Sequence, residues 1–252
     1  MIDQREKQKF FDVCERVIGA GRAEMGIGSL GEKYMHLILK NFICENTDCH
    51  EVGQGSYFAD VLVEDTIYEI QTGGYYPLKK KLQYYLSEGE KQIVIVTPVA
   101  RRKRLIWVDP ENGSVTEGRR ATVPLAWIKL LREMYWLSGE ICFDRVSFWF
   151  PVVSVDEYRK RDGLGKDKKI KATKIEKIPR ELLDIEEVTC AEDVARLFLP
   201  SALPARFTAP EFARHTGARR LTLSSCIHAL ENLGVIEKDG KIGNATAYKK
   251  LV

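Results

Sequence analysis

The sequence predicts an α/β protein: a mixed sheet flanked by helices, followed by a small C-terminal module of helices closed by a β-hairpin. Three observations predict it. In the first 150 residues, segments of helical apolar spacing alternate with short runs rich in β-branched and aromatic residues. Two of those runs, Tyr57–Val63 and Thr66–Gln71, are separated only by Glu64-Asp65, which reads as a hairpin. Beyond residue 181, a capping box, an apolar helix and an Asp-Gly dipeptide follow in quick order.

Composition bounds the possibilities. At 252 residues the chain is long enough for one large domain or two ordinary ones. No apolar run approaches a membrane span, and Met1-Ile-Asp-Gln-Arg-Glu lacks the apolar core of a signal peptide, so a cytoplasmic protein with no membrane partner is expected. The six cysteines form no CxxC pair, which suits reduced thiols. Cys44, Cys49 and His50 come close to a metal-ligand cluster, yet no fourth ligand stands at a recognisable spacing. A formal charge of only +3 means that any nucleic-acid surface must be a local patch.

Taken in order, Asp3 to Gly19 spaces Phe10, Val13, Val17 and Ile18 as one helix face, with the helix ending at Gly19 or Gly21. Ser29-Leu-Gly-Glu32 is a capping-box pattern, and Tyr34, Leu37, Ile38 and Phe42 form the apolar stripe of the helix that follows. Glu32 is either the cap's reciprocal partner or an acidic residue serving a metal. His36, one turn on, is either a polar edge of the core or a catalyst, and nothing in the sequence names its partner. His50-Glu-Val52 is a strand, turned by Gly53-Gln-Gly55 into the Asp60 strand.

The hairpin organises the chain. If Val63 faces Thr66, the same register sets Asp60 opposite Glu69, with Cβ atoms roughly 4.5–5.5 Å apart. Two carboxylates then share one sheet face, close enough to hold one divalent cation, and Gln71 points the same way. Pro77 opens a helix running through Leu78, Leu82, Tyr85 and Leu86, with Lys79, Lys80 and Lys81 at its start; these are either a solvated surface or a seat for a partner anion. Lys91 to Val99 holds a buried strand. Arg101-Arg-Lys-Arg104 reads as an exposed loop or a phosphate-contacting edge leading into the strand Leu105–Val108, and Asp109 to Gly113 is a turn. Pro124 to Leu137 is another helix, and Val146–Phe150 with Val152-Val153 completes the β-rich material. Residues 159–180 hold ten Lys/Arg against three acids, together with Gly163 and Gly165, and read as a basic linker.

In the C-terminal module Glu192 to Leu199 is a short helix, and Thr208-Ala-Pro-Glu211 caps a second that closes near Gly217. A third, begun by Arg219-Arg220, turns Leu223, Ile227, Leu230 and Leu233 inward, and a hairpin around Asp239-Gly240 follows.

Two resemblances attach to these residues. Glu32 on a helix, then Asp60, then Glu69-Ile-Gln71 on the next strand is similar, in order and spacing, to the core of the PD-(D/E)xK nuclease superfamily. The run from Gly31-Glu32 through the Lys-rich helix resembles an uncharacterised bacterial family that joins such a domain to a C-terminal winged helix. Two departures stand out: Ala59 precedes Asp60 where the pattern has Pro, and Gln71 stands where it has its catalytic Lys. Helix, helix-turn-helix and β-wing independently resemble the winged-helix fold.

The resemblance implies a restriction-endonuclease-like mixed sheet in a nuclease-like domain at 1–158, a basic linker at 159–180 and a winged helix-turn-helix domain at 181–252. It implies a metal-dependent DNA nuclease in which Glu32, Asp60, Glu69 and Gln71 form the catalytic set and Asp60 and Glu69 bind Mg²⁺ or Mn²⁺. Lys79, Lys80, Arg219, Arg220, Thr222, Ser225 and Lys241 would contact DNA, with the third helix of the module set in a major groove. The alternatives are a catalytically inactive DNA-binding regulator that keeps the nuclease fold as scaffold, and a protein-interaction module whose winged helix makes a homodimer.

Overall fold

In the computed structural model, residues 2–25, 33–124, 127–164 and 171–252 are described. The capping box at Ser29–Glu32, including the candidate Glu32, therefore lies outside the described residues, as do Leu125 and Lys166, Lys168 and Lys169. The chain is mixed α/β and divides into two compact units, each threaded from three separate segments. None of the described helices is long and apolar enough to cross a membrane.

The first unit takes in 1–72, 96–125 and 149–186. Helix α1 (Gln4–Met25) buries Phe10, Val13, Cys14, Val17 and Ile18. It does not stop at Gly19 or Gly21. A glycine inside a helix costs only about 1 kcal/mol, which the packing of Val17 and Ile18 offsets. Helix α2 (Lys33–Ile43) buries Tyr34, Ile38 and Phe42 as expected, and Phe10 meets Phe42 edge-on at 5.2 Å. Leu37 does not join that stripe; it is 42% exposed, and Met35 and Leu39 are buried instead.

Strands β1 (His50–Gln54), β2 (Tyr57–Val63) and β3 (Thr66–Ile70) form an antiparallel meander. Val63 pairs with Thr66, Leu62 with Ile67 and Val61 with Tyr68, the register the sequence anticipates. Glu64 takes a left-handed φ of 51° to make the tight turn. The sheet order is β1-β2-β3-β4-β7-β5-β6, with β8 paired to β7; β4 is Gln92–Val96, β5 Val99–Val108, β6 Val115–Thr122, β7 Val146–Lys160 and β8 Thr173–Val188. Within this unit, the Gln71 N–H donates to Val96 O and the Thr97 N–H to Trp149 O, both at 2.8 Å. Strands β5 and β7 run parallel, while β5 and β6 are antiparallel.

Two expectations are corrected here. Arg101–Arg104 is not an exposed loop, because it lies inside β5. Arg104 grips Asp156 on β7 with Nε and Nη2, each at 2.7 Å, and Arg180 adds its own Nε at 2.7 Å. Lys103, on the opposite face by strand alternation, meets Glu157 at 2.8 Å. Residues 159–180 are not a loop throughout: β7 runs to Lys160 and β8 starts at Thr173, so Arg159, Lys160, Lys174, Lys177 and Arg180 stand in strands. Arg159 and Arg180 pair inward, whereas Lys174 and Lys177 are exposed. Arg159 joins Lys103 on Glu157, which is fully buried.

The second unit takes in 73–95, 126–148 and 187–252. Helix α3 (Leu78–Glu88) has Pro77 at its cap and buries Leu78, Leu82 and Tyr85, and α4 (Trp127–Met134) buries Leu130, Leu131 and Met134. The Ile93 N–H bonds Arg145 O at 2.8 Å, joining β4 to the start of β7. Next come α5 (Ala191–Phe198), β9 (Arg206–Thr208), α6 (Ala209–Thr216), α7 (Arg220–Asn232), β10 (Ile236–Ile242) and β11 (Ala245–Lys250). Strands β10, β11 and β9 form a small antiparallel sheet in that order.

The Thr208–Glu211 capping box is present, and Gly217 closes α6 in the left-handed region. The hairpin turn is corrected: Ile242 pairs with Ala245, so Gly243-Asn244 makes the turn and Asp239-Gly240 makes a bulge between Lys238 and Lys241. Both dipeptides suit turns. The later one leaves β10 long enough for Ile236 to reach Lys250. Helix α7 packs on α4, with the Cys226 thiol 3.7 Å from Ile128 O and the Asn232 amide donating to Ser138 Oγ at 3.0 Å.

Candidate functional site

Asp60 sits on β2 on the face shared with Leu62, Ile67 and Glu69. Its Oδ2 accepts the Ile70 N–H at 2.7 Å and lies 3.2 Å from His36 Nε2 on α2. The Asp60 side chain is 14% exposed and that of His36 29%, so the pair stands at the edge of solvent. Continuing the observed register one residue past Val61↔Tyr68 sets Asp60 opposite Glu69. Glu69 is 1% exposed. Gln71 is half-buried just past the end of β3, with its backbone anchored on Val96.

The structure thus brings Asp60 and Glu69 onto one strand pair, sets Gln71 just past its end and adds His36. The sequence offered His36 without a partner; its position one turn past Glu32 was the available signal. Among the described residues, no group of three His, Cys, Asp or Glu side chains is arranged to hold a metal ion. Two carboxylates on one face still match what Mg²⁺ asks of a protein, a few oxygen donors completed by water and phosphate. Asp60 and Glu69 are the two carboxylates that face offers. His50 spends Nε2 on Cys44 O at 2.8 Å, and the Cys49 thiol leans on Cys44, whose hydrogen bond raises its pKa.

A cavity of about 380 Å³ is lined by Met35, Thr72, Pro98, Ala100, Val155 and Glu176. Glu176, on β8, is 5% exposed and neither carboxyl oxygen has a hydrogen-bond partner among the described residues. Burial pushes its pKa up to about 7. A larger hollow of about 640 Å³ holds Arg102, Arg104, Arg120 and Arg180. These arginines pair with Asp156, Glu15 and Glu181 of its lining and with Glu117 beside it.

In the second unit, Lys79 meets Glu140 at 3.6 Å and Lys80 is exposed on α3. Arg219 caps α7 and Arg220 begins it; both are exposed. The Thr222 hydroxyl donates to Arg219 O at 3.0 Å, Ser225 is half-buried, and His228 Nδ1 lies 2.9 Å from Ser224 O. Lys241 is exposed on β10, whereas Lys238 pairs with Glu231 at 3.7 Å.

Fold and site define a mixed α/β protein with a carboxylate pair on one sheet face and a helical module bearing a β-hairpin. The chain belongs to a family described as a domain of unknown function (DUF8091), whose model matches residues 33–189 and so covers the meander, His36 and β8. No curated protein and no solved structure matches it.

Proposed function

We propose that the chain is a metal-dependent phosphodiesterase of the PD-(D/E)xK type acting on DNA, with its C-terminal helices and hairpin serving as a winged helix. The observation that carries the reading is the fixing of Asp60, by the Ile70 N–H and His36, on the face it shares with Glu69. Asp60 and Glu69 would hold Mg²⁺ or Mn²⁺. A bound ion of this kind polarises a phosphate and lowers the pKa of a bound water.

The chain's own groups divide the remaining work. His36, with its proton on Nε2, donates to Asp60 and keeps that carboxylate oriented. Gln71 offers a hydrogen bond for placing a water but brings no charge to the developing oxyanion. Glu32 is the acidic residue that the superfamily pattern puts on the helix. On the winged helix, α7 would enter a major groove with Arg219, Arg220, Thr222 and Ser225, and Lys241 would reach the backbone from the wing. Lys79 and Lys80 would meet phosphates.

A second reading, a DNA-binding regulator on an inactive nuclease fold, is favoured by Gln71 alone. One experiment separates them: cleavage of plasmid and oligonucleotide DNA with Mg²⁺ or Mn²⁺ by wild type, Asp60→Asn and Glu69→Gln, with DNA binding measured in parallel. Activity lost in both variants supports the nuclease. Unchanged cleavage in either removes this site, and binding without cleavage in every condition leaves the regulator.

A further inference from the structure

Four exposed rings form a continuous row within the second unit. Tyr76 meets Trp136 with centroids 4.9 Å apart, Trp136 meets Tyr135 at 5.5 Å, and Tyr135 meets His228 at 6.3 Å. Tyr76 is 65% exposed, Trp136 41% and Tyr135 36%. The row does not hang on a loose loop. The Tyr135, Trp136 and Leu137 N–H groups bond Leu131, Glu133 and Met134 carbonyls, and Met134 and Leu137 are fully buried beneath. A contiguous aromatic patch left open in this way marks a contact surface.

Charge selects the occupant. At the Tyr76 end the Lys79 N–H bonds Tyr76 O at 3.2 Å, which brings in the first turn of α3 and the exposed Lys80. At the other end His228 continues onto α7, where Ser224 and Arg220 follow at four-residue steps on the same face. The nearby carboxylates are engaged: Glu133 by Arg132 and the Tyr75 N–H, Glu140 by Lys79 and Gln83. Rings flanked by cations are the pattern that binds unpaired bases, because every base has a face to stack and a phosphate beside it.

We propose that this row is a stacking platform for the unpaired bases of a nucleic-acid strand, so that the preferred ligand is a duplex carrying a single-stranded overhang. The inference rests on the DNA-binding part of the proposed function but not on catalysis, and its test is run in EDTA. Fluorescence anisotropy compares a blunt duplex with the same duplex bearing an oligothymidine overhang of about ten nucleotides, a length within the usual single-strand site size. Wild type should bind the overhang about tenfold more tightly, as one to two stacked bases provide. Tyr76→Ser and Trp136→Ala should each remove most of that gain and leave blunt-duplex affinity unchanged, whereas Arg219→Ala/Arg220→Ala should weaken both ligands. Tyr76 lies mostly in solvent, so its variant tests the row even if Trp136→Ala unfolds. Equal affinity of wild type for both ligands overturns the proposal. So does a change of oligomeric state in Tyr76→Ser, which would assign the row to a second copy of the chain. Binding of the overhang alone, with no blunt-duplex affinity, would sink the winged-helix reading and keep this one.

Discussion

Replacing Glu176 by glutamine removes a buried carboxyl that has no hydrogen-bond partner among the described residues. Burial raises its pKa from 4.5 to about 7, so the folded protein keeps the proton after the unfolded chain has released it. The sign follows: stability is highest below the unfolded value, declines as pH rises toward 7, and levels off once the folded carboxyl ionises. At 1.36 kcal/mol per pKa unit the span gives a ceiling of about 3 kcal/mol, and relaxation around the charge brings a realistic figure to ~2 kcal/mol. Glutamine keeps the shape and cannot titrate. Its own unsatisfied amide costs about 1–3 kcal/mol at every pH, so the informative quantity is the change in the difference between variant and wild type. That difference should shift by ~2 kcal/mol in favour of Glu176→Gln between about pH 5 and pH 8. Urea denaturation at both values measures it. Parallel profiles for the two proteins would refute the reasoning, because they would mean that Glu176 is solvated or paired in the fold.

Asp60→Asn should abolish metal-dependent cleavage while costing no more than about 1 kcal/mol in thermal stability, since the amide oxygen can still accept the Ile70 N–H; a larger loss in a calorimetric melt would make Asp60 a structural residue. Gln71→Lys should hold or raise cleavage, because it supplies the charge that glutamine lacks; a rate that falls in a plasmid-nicking assay would contradict the proposed role of this position. Burial alone would raise the pKa of Asp156, but the Arg104 and Arg180 guanidiniums outweigh it and hold the carboxyl below its ordinary range. The stability this confers is present above the unfolded pKa and is lost as pH falls through the folded one. Asp156→Asn should therefore destabilise by about 2 kcal/mol at neutral pH, because Arg104 and Arg180 lose a charged hydrogen-bond acceptor yet keep Glu117 and Glu15, and a chemical denaturation curve within about 0.5 kcal/mol of wild type would count against that network.

The hairpin was legible because Glu64-Asp65 leaves only one tight register, and that register sets Asp60 and Glu69 together. The α6 capping box was legible for the same kind of reason: its signal is local and its partners are three residues apart. Strand β6 escaped the sequence reading. Its residues are exposed almost throughout, as an edge strand laced with Arg119 and Arg120 can be, and apolar alternation cannot reveal such a strand. Its one strong marker is Gly118, where a Cβ would lie 2.8 Å from Trp107 Nε1, a constraint visible only once β5 is in place. The basic run at 159–180 hides two strand ends, because Gly163, Gly165 and few large apolar residues are also what a linker shows. The acids that meet Arg180 and Arg159, Asp156 and Glu157, sit on β7 amid apolar residues, and pairings across strands leave no trace in spacing. His36 found its partner for a similar reason, 24 residues away.

The threading of the two units bears on how the protein is made. Residues 1–72, 96–125 and 149–186 complete the first unit, whereas the second gathers 73–95 and 126–148 and then waits for 187–252. A ribosome releasing the chain from its N-terminus therefore supplies every part of the first unit before the second can close. In the interval the apolar face of α4 has yet to meet α7, the helix it packs against. Contacts closed over such separations are slow to form. Cutting the gene at residue 181 would divide β8 and strip the last segment from the two earlier ones it folds with. The module that looks detachable in the sequence is the end of a longer weave.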